Sequence, residues 1–222
     1  MSDRARHDAA TGELDLDADL ADALLDEARR PAALVEPGLA AAAADPRLEL
    51  MLAAIDAPVC RMHVARDGGA AGISLGRAAL VLAVTSTPGR VRLRPFAPEA
   101  LAGLLAQLVD LGPREPPPGG EPVRVPAAVL ADAIARAQAP ADAPPAAPPD
   151  TPRPPLHDVR SHWRIVARPA PPGDDDGRAI EALDADGSWW LLTASGSEVE
   201  LAPVRSERIY RGFGRLIPPP AD

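Results

Sequence analysis

Two segments of the sequence repeat the same order of apolar and polar residues. Residues 80–109 read LVLAVTSTPGRVRLRPFAPEALAGLLAQLV and residues 188–217 read SWWLLTASGSEVELAPVRSERIYRGFGRLI. The identical aligned pairs are Thr85/Thr193, Val91/Val199, Leu93/Leu201, Pro95/Pro203, Glu99/Glu207 and Leu108/Leu216. Each copy predicts an apolar strand, a polar turn, an alternating strand that ends in proline, and an amphipathic helix. Because an internal repeat constrains the whole architecture, the sequence predicts two related halves.

A further strand precedes each copy of the repeat. VCRMHVAR at 59–66 and WRIVAR at 163–168 have the period-2 pattern of strands, and the Asp-Gly pairs after residues 66 and 185 are hairpin turn signals. Residues 73–85 fit one long strand or two short ones. The predicted fold class is α+β, with a central antiparallel sheet built from two pseudo-twofold-related β-β-β-α halves, helices on one face and helical segments at the ends.

The chain divides into five segments by composition. Half of the 28 prolines fall between Pro113 and Pro155, which is typical of an extended, hydrated connector. The predicted segments are a disordered N-terminus (1–12), the first half with N-terminal helices (13–111), the connector with one helix near 127–138 (112–156), the second half (157–217) and a tail (218–222).

Local signals predict where several elements begin. Leu14 and Leu16 alternate with acids as in a short edge strand, and Asp17 or Asp19 can cap the helix that follows. Asp45 before a proline predicts another helix start, and Ser206 is expected to cap the last helix. The sequence also suggests that arginines of the first copy pair with glutamates of the second across the twofold axis: Arg90, Arg92, Arg94, Glu198 and Glu200.

Charge and hydropathy exclude several classes of partner. The net charge is −9 and aromatic residues make up 3% of the chain, which disfavours binding to nucleic acid or to an anionic membrane. The N-terminus lacks the apolar run of a signal peptide, and no stretch is long and apolar enough to span a bilayer. We therefore expect a cytoplasmic protein. The sequence indicates no particular oligomeric state.

The sequence offers no convincing catalytic, cofactor or metal site. Cys60 and His63 point to opposite faces of a strand, so Cys60 is interpreted as a buried structural residue. Asp174-Asp175-Asp176 could hold a cation, but it lacks the oxygen spacing of a calcium loop and is more typical of a solvated turn. His157-Asp158 and Ser161-His162 supply the residue types of a catalytic triad. They lie in a proline-rich linker, where nothing would hold their side chains at hydrogen-bonding distance.

The segments PRLELML, VCRMHVAR, RVRLRPFAPEALAGLLAQLV and IEALDADGSWWLLTASGSEVELAP, with the terminal helix, resemble the EspG family. That family consists of the cytosolic chaperones of type VII (ESX) secretion, and the resemblance spans about residues 45–217. Its members hold the apolar tip of a secreted helical heterodimer with loops and a helical bundle. The resemblance thus implies a non-enzymatic chaperone for helical secretion substrates that uses no cofactor.

Two turns and three helices are predicted to form the contact surface. They are the turns 67–72 and 169–177 and the helices after Pro98, Pro126 and Ser206. The candidate contact residues are Asp67, Gly68, Gly69, Leu130, Ile134, Asp174, Asp175, Asp176, Trp189 and Trp190. The two tryptophans are adjacent in a strand and face opposite sides, so one belongs to the core and the other is covered either within the chain, which we favour, or by a partner.

A second hypothesis comes from a different functional class. The proline-rich connector itself could be the ligand, docking in polyproline II form into an aromatic-lined groove of a partner. The protein would then be an adaptor or regulatory interaction protein. An enzyme is the third and least favoured reading, because no set of residues meets the geometric requirements for catalysis.

Overall fold

The computed structural model describes residues 4–26, 29–117, 120–139, 158–170 and 177–217, which form one eleven-stranded sheet and seven α-helices. The first half contains β3 (Cys60–Arg66), β4 (Gly69–Leu75), β5 (Leu80–Thr87), β6 (Arg90–Phe96) and α5 (Leu101–Leu108). The second half contains β8 (Val159–Pro169), β9 (Arg178–Ala185), β10 (Ser188–Ser195), β11 (Glu198–Val204) and α7 (Ser206–Gly214). The remaining elements are β1 (Ala5–Asp8), β2 (Glu13–Asp17), α1 (Ala18–Leu25), α2 (Arg30–Leu34), α3 (Pro37–Ala42), α4 (Pro46–Asp56), β7 (Val123–Pro126) and α6 (Ala127–Gln138).

The two halves meet at the centre of the sheet through β3 and β8. The strand order is β1-β2-β6-β5-β4-β3-β8-β9-β10-β11-β7, and every pairing is antiparallel. The seven residue pairs between β3 and β8 are centred on His63↔Val166, with three pairs on either side. The first four strands on either side of this pair, β3 to β6 and β8 to β11, follow one another outward in chain order. The predicted α+β fold with two pseudo-twofold-related halves is therefore confirmed.

Each half contributes four strands and not the three of the predicted β-β-β-α unit, and in the first half the run 73–85 is divided between β4 and β5. At the break, the Gly76 amide donates to the Ala79 carbonyl at 2.9 Å. A Cβ atom on Gly76 would lie 2.8 Å from the Cα atom of Ala54 in α4. The turn thus packs directly on α4, and glycine is the residue that this close approach permits.

Three apolar clusters hold the helices on the sheet. α5 and α7 pack on one face, here called the α5/α7 face, over the main core around Trp163, Ile165 and Phe213. α1–α4 pack on the opposite face at the β6 end of the sheet, and α6 packs on that face at the β11 end. This agrees with the prediction of helices on one face and helical segments at the ends. None of the helices in the described ranges is long and apolar enough to span a bilayer.

The N-terminal residues are ordered from residue 4 onward, contrary to the predicted disorder of residues 1–12. They form β1, which pairs with β2, so that β2 lies inside the sheet between β1 and β6 and is not an edge. Arg4 Nε lies 2.6 Å from a carboxylate oxygen of Asp17, and His7 Nε2 lies 3.1 Å from Asp45 Oδ2. Polar composition suggested disorder, whereas these long-range contacts order the segment.

The predicted charge pairing across the twofold axis is wrong. β6 and β11 are separated by six strands, since each lies three strands outward from the central pair. The β6 arginines face β2 instead, with Arg90 Nε 3.0 Å from Asp15 and Arg94 paired with Glu13. Arg124 of β7 is the neighbour of Glu200 on β11, at 3.5 Å.

Two of the predicted helix caps are confirmed and one is wrong. The Asp17 carboxylate accepts from the Leu20 amide in α1, and the Asp45 carboxylate accepts from the Arg47 amide in α4. Ser206 is the first residue of α7 and makes no capping hydrogen bond. Its hydroxyl donates to the Gly112 carbonyl at 2.7 Å, because residue 112 of the connector crosses the start of α7.

The first residues of the connector are bound to the second half, which differs from the predicted hydrated linker. Trp189 Nε1 donates to the Gly112 carbonyl at 3.0 Å, and the Ser188 hydroxyl donates to the Glu115 carbonyl at 2.8 Å. Arg114 Nη2 donates to the buried Asp184 at 2.9 Å. The predicted helix of the connector is confirmed as α6, whereas residues 140–157 lie outside the described residues.

Candidate functional site

The turn between β3 and β4 is fixed to the second half of the sheet. Asp67 and Gly68 have φ angles of 47° and 83°, the left-handed pair that a type I′ hairpin turn requires. The Asp67 carboxylate accepts from the Ser161 hydroxyl at 2.8 Å and from the His162 amide at 2.9 Å. Two hydrogen bonds to one carboxylate hold the turn in place, so it is a rigid part of the surface.

This turn and α6 enclose a pocket of about 260 Å³. Ile134, Ala137 and Gln138 form one wall, and Asp67 lies with residues 159–162 on the other side. The pocket brings together two candidate residues, Asp67 and Ile134, that are distant in the sequence. Gly68 and Gly69 are exposed beside it.

His162 lines this pocket and was not predicted as a site residue. Its Nε2 lies 2.8 Å from Glu181 Oε1, and this hydrogen bond holds the pKa of Glu181 below its ordinary value, against the burial that raises it. The sequence interpretation discounted Ser161 and His162 as residues of a proline-rich linker, although the predicted connector ended at residue 156. The alternation of β8 from Val159 onward was the signal that it belongs to a strand.

Both tryptophans are buried within this chain, so neither is a surface contact residue. Trp189 is 1% exposed on the α5/α7 face, and Trp190 is 8% exposed on the opposite face under α6. Trp190 Nε1 donates to the Ala185 carbonyl at 3.3 Å. Leu130 of α6 packs in the same cluster and is also buried. The sequence interpretation favoured burial of the second tryptophan by other parts of the same chain, and this is confirmed.

The predicted contact helices lie on two different faces of the sheet. α5 and α7 flank a groove of about 630 Å³ with residues 111–115, where Tyr210 is 47% exposed. α6 lies on the opposite face. One partner therefore cannot contact α5, α7 and α6 through a single flat interface. Asp174, Asp175 and Asp176 lie outside the described residues.

Among the described residues, no helix covers the middle of the sheet on the face that carries α6. Here β4, β3, β8 and the first half of β9 present exposed or half-buried side chains between the two end clusters of helices. We call this surface the open strip; it consists of Arg61, His63, Gly72, Ser74, Arg164, Val166, Arg168 and Glu181. Its outer strands are about 14 Å apart at the usual strand spacing. It adjoins the pocket through the His162–Glu181 contact.

Cys60 and His63 lie on opposite faces of β3, as the strand period predicts. Cys60 is fully buried in the main core, and burial raises the pKa of its thiol. His63 is exposed on the open strip. Within the part of the chain that the structure describes, no group of three or more histidine, cysteine, aspartate or glutamate side chains is placed to hold a metal ion.

Comparison with solved structures identifies the fold of this chain. No protein-family model and no curated protein matches this sequence. The sheet with its helical ends is an EspG-like α+β fold. One solved structure with this fold is the Mycobacterium tuberculosis type VII secretion system chaperone EspG5 in complex with the PE25–PPE41 dimer. The two chains align with a TM-score of 0.52 at 11% identity, over 95% of this chain and 98% of that one.

Proposed function

We propose that this protein is a cytoplasmic chaperone that holds a helical secreted protein or heterodimer of a type VII (ESX) secretion system. The observation that carries the proposal is the shared fold, which extends over 95% of this chain and 98% of a chaperone that binds a dimer. An alignment of this extent includes the central sheet together with both helical ends.

The contact surface in this proposal is the face that carries α6. It combines the open strip with the pocket between α6 and the Asp67 turn, and both are accessible from the same side of the sheet. The turn at Asp67, the exposed end of α6 and the central strands together form a platform between two helical ends. Such a preformed platform suits a rigid helical partner, because little ordering entropy is lost on binding.

The proposal includes no catalytic reaction. Ser161 and His162 are adjacent in β8 and point to opposite faces, so their side chains bond to different acids. The Ser161 hydroxyl donates to Asp67, and His162 contacts Glu181. A serine hydroxyl that is not hydrogen-bonded to the histidine cannot transfer its proton to it in the manner of a triad.

Co-expression with helical heterodimers encoded beside secretion ATPases in the source genome tests this function. The expected result is a complex that survives size-exclusion chromatography, with its stoichiometry read by light scattering. Ala137→Arg places a bulky cation in the pocket and is expected to weaken binding at least tenfold. Ala131→Arg is the matched control, since Ala131 is exposed on α6 but does not line the pocket.

Three outcomes are informative. Failure of the wild-type chain to bind any helical heterodimer from that genome contradicts the proposed function. Equal loss of binding with both arginine variants would show that α6 acts only through its stability. Binding that neither variant changes would move the interface away from α6, with the groove between α5 and α7 as the surface to test next.

A further inference from the structure

The open strip is basic, although the protein as a whole has a net charge of −9. Arg61, Arg164 and Arg168 are exposed on it, and the Arg164 side chain is 57% accessible. Glu181 is the only acid of the strip, and it contacts His162 at 2.8 Å and Arg164 at 3.7 Å. Arg61 and Arg168 therefore have no acidic partner within the strip.

Arg61 and Arg168 lie directly opposite each other on β3 and β8. Like charges at opposed positions of an antiparallel pair destabilise the sheet. Arg61 Nη2 donates to the Ile55 carbonyl at the end of α4, at 3.3 Å, and neither arginine has a carboxylate within ion-pair distance among the described residues. A carboxylate of a bound partner would relieve this repulsion. The pair therefore favours binding of an acidic ligand and does not stabilise the fold.

We propose that the open strip selects, among helical partners, those whose contacting end carries carboxylates. This rests on the proposed chaperone function and adds the chemistry of the partner to it. A helix is about 10–12 Å across, and the outer strands of the strip are about 14 Å apart, so the two widths are similar. Small floor residues, Gly72 and Ser74, let a helix approach closely enough for its acids to reach Arg61 and Arg168.

Charge complementarity of this kind acts on the rate and specificity of association and is screened by salt. The probes are synthetic helical hairpins of equal length and helicity whose tips carry glutamates, glutamines or lysines, labelled for fluorescence anisotropy. Wild-type protein is expected to bind the glutamate hairpin, to bind it more weakly as salt increases, and to bind the lysine hairpin least.

The double variant Arg61→Gln with Arg168→Gln is expected to weaken binding of the glutamate hairpin by about tenfold. The control variant, Arg77→Gln with Arg208→Gln, removes the same charge from exposed arginines outside the strip and is expected to leave binding unchanged. Because Arg61 also contacts α4, Arg168→Gln alone is measured as well, and thermal unfolding by circular dichroism verifies that each variant is folded.

The outcomes separate this inference from the proposed function. If the co-expressed heterodimer binds but the glutamate and lysine hairpins bind equally, charge selection is wrong and the chaperone function stands. The same conclusion follows if both double variants have the same effect. If a short DNA duplex competes as well as the glutamate hairpin, the strip recognises polyanions in general and the assignment of a helical partner is overturned.

Discussion

Trp163 and Trp189 form a matched pair for testing how the main core is held together. Both are buried, at 0% and 1% exposure, and their ring centroids are 6.2 Å apart in an edge-on arrangement. They differ in one respect. Trp189 Nε1 donates to the Gly112 carbonyl at 3.0 Å, whereas Trp163 Nε1 is buried with no acceptor among the described residues.

Replacing each with phenylalanine removes a similar volume from the same core, so the packing losses are expected to be comparable. The effects of the two substitutions on hydrogen bonding change the free energy of unfolding in opposite directions. Trp189→Phe loses one hydrogen bond, which stabilises by about 1 kcal/mol. Trp163→Phe removes an unsatisfied donor whose burial costs about 1–3 kcal/mol. The Trp189 variant should therefore have a free energy of unfolding about 2–4 kcal/mol lower than the Trp163 variant.

Urea unfolding followed by far-ultraviolet circular dichroism measures this difference without depending on tryptophan emission. Equal m-values for the two variants are the control that both unfold from comparable native states. Equal stabilities, or a less stable Trp163 variant, would refute the reasoning, because they would mean that packing or an acceptor outside the described residues decides the outcome.

Three further predictions concern the connector and the N-terminal caps. Arg114→Ala leaves the buried Asp184 without its partner and should lower the free energy of unfolding by about 2 kcal/mol. This loss is smaller than for a fully buried pair because the Arg114 side chain is 31% exposed. An unchanged free energy of unfolding in urea would contradict this prediction. The hydrogen bond from the Arg47 amide lowers the pKa of Asp45 below its ordinary value of 3.8. The Asp45 carboxylate therefore stabilises the folded state above pH 3.8, and this contribution is lost as the pH falls further. In Asp45→Asn, the free energy of unfolding should depend less on pH in this acid range. Deleting residues 139–156 should leave binding of the helical partner intact in the co-expression assay. Loss of binding in this deletion variant would support the adaptor hypothesis.

Local sequence signals predicted the centre of the fold well. The Asp-Gly pairs after β3 and β9 predicted hairpin turns, and both have the left-handed φ values of type I′ turns. Asp45 before Pro46 predicted the start of α4. These features depend on neighbouring residues, so their physical cause is contained in a short stretch of sequence.

Contacts between distant segments could not be predicted in the same way. Arg90 and Arg94 pair with β2 because β2 joins the outer edge of β6, and no local pattern specifies which strand will occupy an edge. The pocket depends on α6 packing near the Asp67 turn, across more than sixty residues of chain. A repeat shows that two halves are similar, but it does not show on which face each helix packs.

Internal duplication of one ancestral unit remains a prediction that fits the symmetric register of β3 and β8. The five predicted segments also remain a description of composition, because residues 140–157 and the tail lie outside the described residues. What the structure adds to the sequence is the position of the accessible surfaces. Within the described ranges, one candidate contact surface lies on each face of the sheet.

Hydrogen–deuterium exchange of the chain alone and in complex with its co-expressed helical heterodimer tests the central claim most directly. The account predicts new protection in the second half of α6, in the turn at Asp67–Gly69 and in residues 158–162, with α5 and α7 unchanged. Protection confined to α5, α7 and the groove between them would contradict it, since the partner would then occupy the face opposite to α6.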